Sequence, residues 1–218
     1  MKFRPTLLKM AALVSLTLLG ACRHPGDLTT DNGGGVYAVR SDCPIAGVPA
    51  GTGDITLFNP AGSTDSRAID VTATITDVRA TCQDTTTDVI STATFTIVGL
   101  RNQPGPARSV TVPYFDVALR GGTRVAAKTV GYAQLNFEAG KAHAWTRVQA
   151  SVRVNRGAAA LPANVRAILT QVRKPGDADA ATDPLADPGV REAVANATFE
   201  HLVGFQLTQD QLRYNATR

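Results

Sequence analysis

Three histidines, three cysteines and a scatter of aspartates are the residues that could carry chemistry in this 218-residue chain. His24, His143 and His201 lie far apart, and no CxxC pair offers a metal-ligand spacing. Asp84 and Asp88 flank a Thr-rich turn, but their spacing is not that of a calcium loop. Asp70, Asp77 and Asp116 are dispersed among apolar residues. No GxSxG, HExxH, P-loop or GxGxxG pattern occurs. The sequence therefore names no catalytic residue, no metal site and no cofactor. His201 falls on an apolar strand face, where a buried, hydrogen-bonded histidine is expected rather than a ligand.

The elements that hold these residues read as strands. From Asp54 to Arg173, Thr, Val and Ile dominate, and Gly, Pro and Asp punctuate. The expected strands are Asp54 to Phe58, Ala68 to Cys82, Val89 to Leu100, Ser109 to Leu119, Thr123 to Phe137, Ala142 to Asn155 and Ala163 to Arg173. Long strands with short turns argue for an antiparallel sandwich. Pro175 to Gly189 reads as a surface loop. Asp187-Pro188 then reads as a cap and first turn, with a helix to about Ala197. Alternation from Phe199 to Leu207 predicts a last strand, with one continuous helix from Pro188 to Leu207 as the alternative. Thr208 with Gln211 three residues on predicts a terminal helical turn through a capping box.

Two strands change phase midway. Ile69, Val71, Ala73 and Ile75 share one face, and then Val78, Ala80 and Cys82 do. One extra residue near Thr76-Asp77, a β-bulge, reconciles them. Likewise Val110 and Val112 give way to Phe115, Val117 and Leu119 around Pro113. Proline lacks the ladder donor, so that strand is expected at an edge or bulged there.

Two turns follow from matching apolar faces. A three-residue loop, Arg120-Gly121-Gly122, sets Val117 opposite Val125 and Phe115 opposite Ala127. A two-residue loop at Ala139-Gly140 sets Leu135 opposite Ala144. The second hairpin would gather Tyr132, Gln134, His143, Trp145 and Arg147 on one outward face. Trp145, the single tryptophan, would lie diagonal to Tyr132, and Arg147 opposite it. Aromatics and Arg dominate binding hot spots, so these five form the candidate contact patch. The alternatives are that the C-terminal segment covers it, or that a bulge turns Trp145 inward.

At the start, Lys2, Arg4 and Lys9 precede an apolar run from Met10 to Leu19, and Gly20-Ala21-Cys22 follow. The run is too short to span a bilayer, which takes roughly 20 apolar residues. The pattern resembles a bacterial lipoprotein signal peptide with its lipobox. The resemblance implies cleavage before Cys22 and acylation of that residue, which anchors the protein to a membrane. Arg23 stands where the family places Asp for inner-membrane retention. The resemblance therefore implies the outer membrane, with the protein facing the periplasm. Residues 1–21 would be the signal peptide and 22–42 a flexible tether, spanning on the order of 25 Å. Residues 43–218 would be a sandwich domain with a C-terminal extension.

Removing the leader takes away three basic residues and no acidic ones, leaving 19 Lys+Arg against 18 Asp+Glu. The apparent basicity vanishes, and a nucleic-acid partner is excluded on charge. Cys43 and Cys82 remain, and an oxidising compartment predicts a disulfide between them. The fold expected is all-β, an immunoglobulin-like or fibronectin-like antiparallel sandwich with a short C-terminal helical segment. The function expected is an outer-membrane lipoprotein scaffold or adaptor for an envelope protein. A carrier of a small molecule or lipid between the sheets is the second reading. An enzyme is the third, and no motif supports it.

Overall fold

The computed structural model describes residues 42–174 and 176–217. The leader, Cys22, His24 and the tether up to residue 41 lie outside the described residues. Among the described residues, eight strands form two four-stranded sheets. The first sheet holds β1 (Ile45–Gly47), β8 (Phe199–Phe205), β5 (Arg108–Arg120) and β6 (Arg124–Phe137), in that order. The second holds β2 (Asp54–Phe58), β3 (Ile69–Asp84), β4 (Asp88–Arg101) and β7 (His143–Asn155). All neighbours are antiparallel except β1 and β8. Among the described residues no helix is long and apolar enough to cross a membrane.

The inner faces meet in one large core. Ile55, Val71, Ala73, Phe95 and Ile97 come from the second sheet; Val112, Leu135, Phe137, Val203 and Phe205 come from the first. In β4 the alternation is clean from Val89 to Ile97, with every second residue buried. A smaller cluster of Ala118, Val152, Val154, Ala159 and Phe199 fills one end. There β7 runs into the short helix α1 (Arg156–Ala159), capped by the Asn155 side chain.

The bulge expected in β3 is present. Pairing jumps from Thr76–Thr96 to Arg79–Thr94, so Asp77 and Val78 stand against Phe95 alone. Asp77 takes a left-handed φ of 52°, and Ala80 and Cys82 come into register with Ala93 and Ser91 on the inner side of the sheet, at an end where both remain exposed. Cys82 is joined to Cys43, which ties the segment leading into β1 to the second sheet.

Other expectations are corrected. Ala163 to Arg173 is not a strand: Ala163–Thr170 is helix α2. Pro162 sets its first turn, its carbonyl accepting from the Arg166 N–H, and Val165, Ile168 and Leu169 recur at helical spacing. The β5–β6 loop is Gly121-Gly122-Thr123, shifted by one residue, because both glycines take positive φ. Arg120 then pairs with Arg124, and an extra residue, Ala126, brings Val117 opposite Lys128. Helix α3 (Pro188–Ala197) starts as expected, with Asp187 Oδ1 accepting from Gly189 and Val190. The reciprocal bonds of Thr208 and Gln211 open helix α4 (Gln209–Thr217).

Residues 172–180 cluster separately from the two sheets. Within them the Arg173 guanidinium donates to Asp179, and the Lys174 N–H to Asp177.

Candidate functional site

The second expected hairpin does not form. β6 pairs only with β5, and β7 only with β4, so the turn at Ala139-Gly140 carries the chain from one sheet to the other. The apolar matching that suggested the hairpin is real but is satisfied differently. Leu135, Phe137 and Ala144 all enter the core, facing one another across it instead of lying side by side.

The five patch residues are thereby divided. Tyr132 and Gln134 lie outward on the first sheet, opposite Pro113 and Thr111. His143, Trp145 and Arg147 lie outward on the second, opposite Leu100, Val98 and Thr96. Stacked sheets are about 10 Å apart, so no Arg147–Tyr132 contact spans them. Tyr132 and Trp145 are nonetheless 73% and 71% exposed, each on its own surface.

The outward face around Tyr132 is apolar well beyond that residue. β5 runs through Pro113 without a bulge, pairing residue for residue with β6 from Arg108 to Ala118. Phe115, Val117 and Leu119 consequently point away from the inter-sheet core, beside Val130, Val125, Leu202 and Gly204, where Val117 is covered and Phe115 and Leu119 are half-buried. Val125 and Val130 are 62% and 42% exposed. The Phe115 ring crosses Gly204, where a β-carbon would collide with it. Lys128 lies over the same ring, 5.5 Å from its centroid. From Arg124 to Val130, β6 is an exposed edge strand open on both faces. Pro113 sits at a local edge as well. Its carbonyl accepts from Gln206, just past the last β8 pair, so its missing donor faces where that strand has ended.

The inner face of β5 explains this inversion. Asp116 points inward with Val112 and Ala118. Its Oδ1 lies 2.7 Å from His201 Nε2, and His201 Nδ1 lies 2.9 Å from Ser91 Oγ. Ser91 comes from β4, so the relay joins the two sheets through the core. These are the residue types of a nucleophilic triad, but the ring nitrogens are used in the opposite sense to the protease arrangement. All three side chains are buried, so this hydroxyl is not offered to a substrate. His201 is the buried, bonded histidine that the sequence suggests. Its partners were not legible, because Ser91 and Asp116 are distant in sequence and unremarkable in kind.

A second buried polar centre had no sequence signal. Arg101 ends β4 and is 2% exposed. Its Nε donates to the Lys141 carbonyl and Nη1 to that of Pro106; Nη2 donates to the carbonyls of Gly105 and Glu138. The guanidinium also lies 5.5 Å from the centre of the Phe137 ring. One cation thus pins two loops at the end of the sheets. At the same end Arg108 makes a two-pronged bond to Asp70, linking β5 to β3. That bond pushes the Arg108 pKa further up.

Open grooves lie outside the core among the described residues. One, of about 370 Å³, runs between α4 and the 61–64 loop beside the edge-on rings of Phe58 and Tyr214. Another, of about 410 Å³, is lined by Asn136, Glu138, Lys141, His143 and Trp145. Among the described residues no cluster of His, Cys, Asp or Glu could hold a metal ion.

No protein-family model matches this sequence, and no curated protein or solved structure matches it.

Proposed function

We propose that the chain is an outer-membrane lipoprotein, anchored through Cys22 and facing the periplasm. Its immunoglobulin-like or fibronectin-like sandwich acts as a non-enzymatic adaptor for another envelope protein. The observation that carries this reading is the apolar outward face of β5 and β6. Tyr132, Val130 and Val125 stand exposed there beside half-buried Phe115 and Leu119, and an apolar patch of this kind marks an interaction surface. The adjoining open edge of β6 adds unpaired backbone groups to which an extended partner segment can bond. The Cys43–Cys82 disulfide fits the oxidising compartment that the leader implies. Carriage between the sheets is less well supported. Phe95, Phe137, Phe205 and Leu135 fill that space, and Leu135 already touches the position of a β-carbon on Gly99.

The test has two arms. Cys22→Ser should move the protein from the membrane to the soluble fraction; retention in the membrane overturns the anchor. A photo-crosslinking side chain at Val130 should yield a discrete adduct in intact envelopes, and the same group at Gln149 should not. Val125→Thr with Val130→Thr should abolish the adduct formed from Tyr132 while leaving the melting temperature unchanged, since both side chains are exposed. Equal adducts from both sheets would overturn the docking face.

A further inference from the structure

We infer that the groove at the β6–β7 crossover binds a neutral saccharide stacked on Trp145. Trp145 projects from the outer face of β7, with Val98 opposite and His143 two residues away on the same side. Asn136, Glu138, Lys141 and His143 line the same groove. The groove's size falls within the range of small-ligand sites. An exposed indole presents a flat, electron-rich face, and the C–H groups on one side of a pyranose ring supply the matching positive edge. The hydroxyls around that ring need donors and acceptors in the same plane. Glu138 supplies acceptors. Lys141 and His143 supply donors. Asn136 accepts from the Ser109 hydroxyl at 2.6 Å, which leaves its NH₂ group to donate.

The charges decide the ligand class. Glu138 and Lys141 cancel, so the groove selects neither a phosphate nor a cation. A nucleotide would call for several convergent cations, and an ammonium ligand for an aromatic cage. A neutral, polyhydroxylated molecule with one apolar face suits what is present.

Arg101 is the second observation. Its buried guanidinium is satisfied by main-chain carbonyls and the Phe137 ring instead of a carboxylate. Here it holds the carbonyls of Glu138 and Lys141, while the Arg101 N–H bonds the carbonyl of Ala142. The Lys141 N–H closes the turn back to Glu138. The backbone that carries both charged side chains of the groove is therefore fixed before any ligand arrives. Such preorganisation is what a weak, shallow recognition site needs.

Trp145 is the single tryptophan, so intrinsic fluorescence reports on this site alone. The full chain, in detergent, is titrated with N-acetylchitotetraose and with maltotetraose, and AMP serves as the stacking control. A saturable emission change is expected with at least one sugar and not with AMP. By calorimetry, Trp145→Ala should weaken that binding at least tenfold, as for a hot-spot residue. Glu138→Gln should weaken it severalfold, with both variants melting like the parent. Absence of a saturable change with either sugar overturns the proposal, as does sugar binding that survives Trp145→Ala. An equal response to AMP overturns the saccharide class. These outcomes do not depend on the anchor or on the β5–β6 face.

Discussion

Strands β3 and β5 meet the same problem and resolve it in opposite ways. In each, the apolar residues switch from one face to the other halfway along. β3 inserts Asp77, which packs Val78 against the core and puts Ala80 and Cys82 on the same side, although both stay exposed. β5 inserts nothing, so Phe115, Val117 and Leu119 are left facing outward. The difference lies in what the bulge would have displaced. A bulge at Pro113 would have turned Asp116 outward and left His201 Nε2 without its acceptor in a closed core. An unmatched buried donor loses about 1–3 kcal/mol, and the Asp–His contact, if charged, is worth more. In β3 the residues on the opposite face are Thr76, Arg79 and Thr81, which lose nothing by meeting water. A buried polar partnership can therefore set register against the hydrophobic pattern.

The contrast can be tested first at its anchor points. Beyond Asp77, β3 has no neighbour on its outer side, since β2 pairs no further than Thr74. The disulfide closes 39 residues of separation at Cys82 and fixes that free end. Cys43→Ser with Cys82→Ser should lower stability by about 4 kcal/mol in the chain-entropy model. Urea unfolding of the oxidised parent and the double variant measures this. A loss below 1 kcal/mol would mean that the bulged half of β3 is held by sheet pairing alone.

The relay comes next. Asp116→Ala should destabilise the protein by about 2–3 kcal/mol, because His201 keeps a buried donor with no acceptor. The combination of Ser91→Ala, Asp116→Leu and His201→Leu removes every polar partner at once. It should be more stable than the sum of the three single losses predicts, by more than about 1 kcal/mol. Strict additivity would break the argument that the relay acts as one unit and dictates the register of β5.

How much of this could be read beforehand follows from the same physics. Alternation in β4 and β8, the Asp187-Pro188 start and the Thr208–Gln211 box were legible because each is a local signal. The bulge in β3 was legible because the apolar pattern alone determines it. The face of β5 was not, because Asp116 is answered by His201, 85 positions away. The false hairpin had a similar origin. Leu135 and Ala144 match equally well as cross-strand neighbours and as residues facing across a core, and periodicity cannot tell the two apart. Trp145 is exposed, as its place on the polar face of the alternation implies, but its neighbours are Val98 and the crossover loop rather than Tyr132. Arg101 had no local mark, since its four acceptors are main-chain carbonyls that any sequence supplies.

The smallest effect tests the bulge itself. Asp77 holds a φ of 52°, a conformation that glycine adopts freely and β-branched residues resist. Its carboxylate also pairs with Arg79 at 3.0 Å, but both groups are largely exposed, so that pair adds little. Asp77→Gly should therefore leave stability within about 0.5 kcal/mol of the parent, and Asp77→Val should lower it by about 1–2 kcal/mol. The sign of the difference matters more than its size. If valine were tolerated as well as glycine, the extra residue could be absorbed elsewhere along β3. The inward placement of Val78, Ala80 and Cys82 would then rest on the disulfide rather than on the bulge. If only glycine is tolerated, the left-handed residue is the device that repairs the pattern in β3, the repair that β5 forgoes for Asp116.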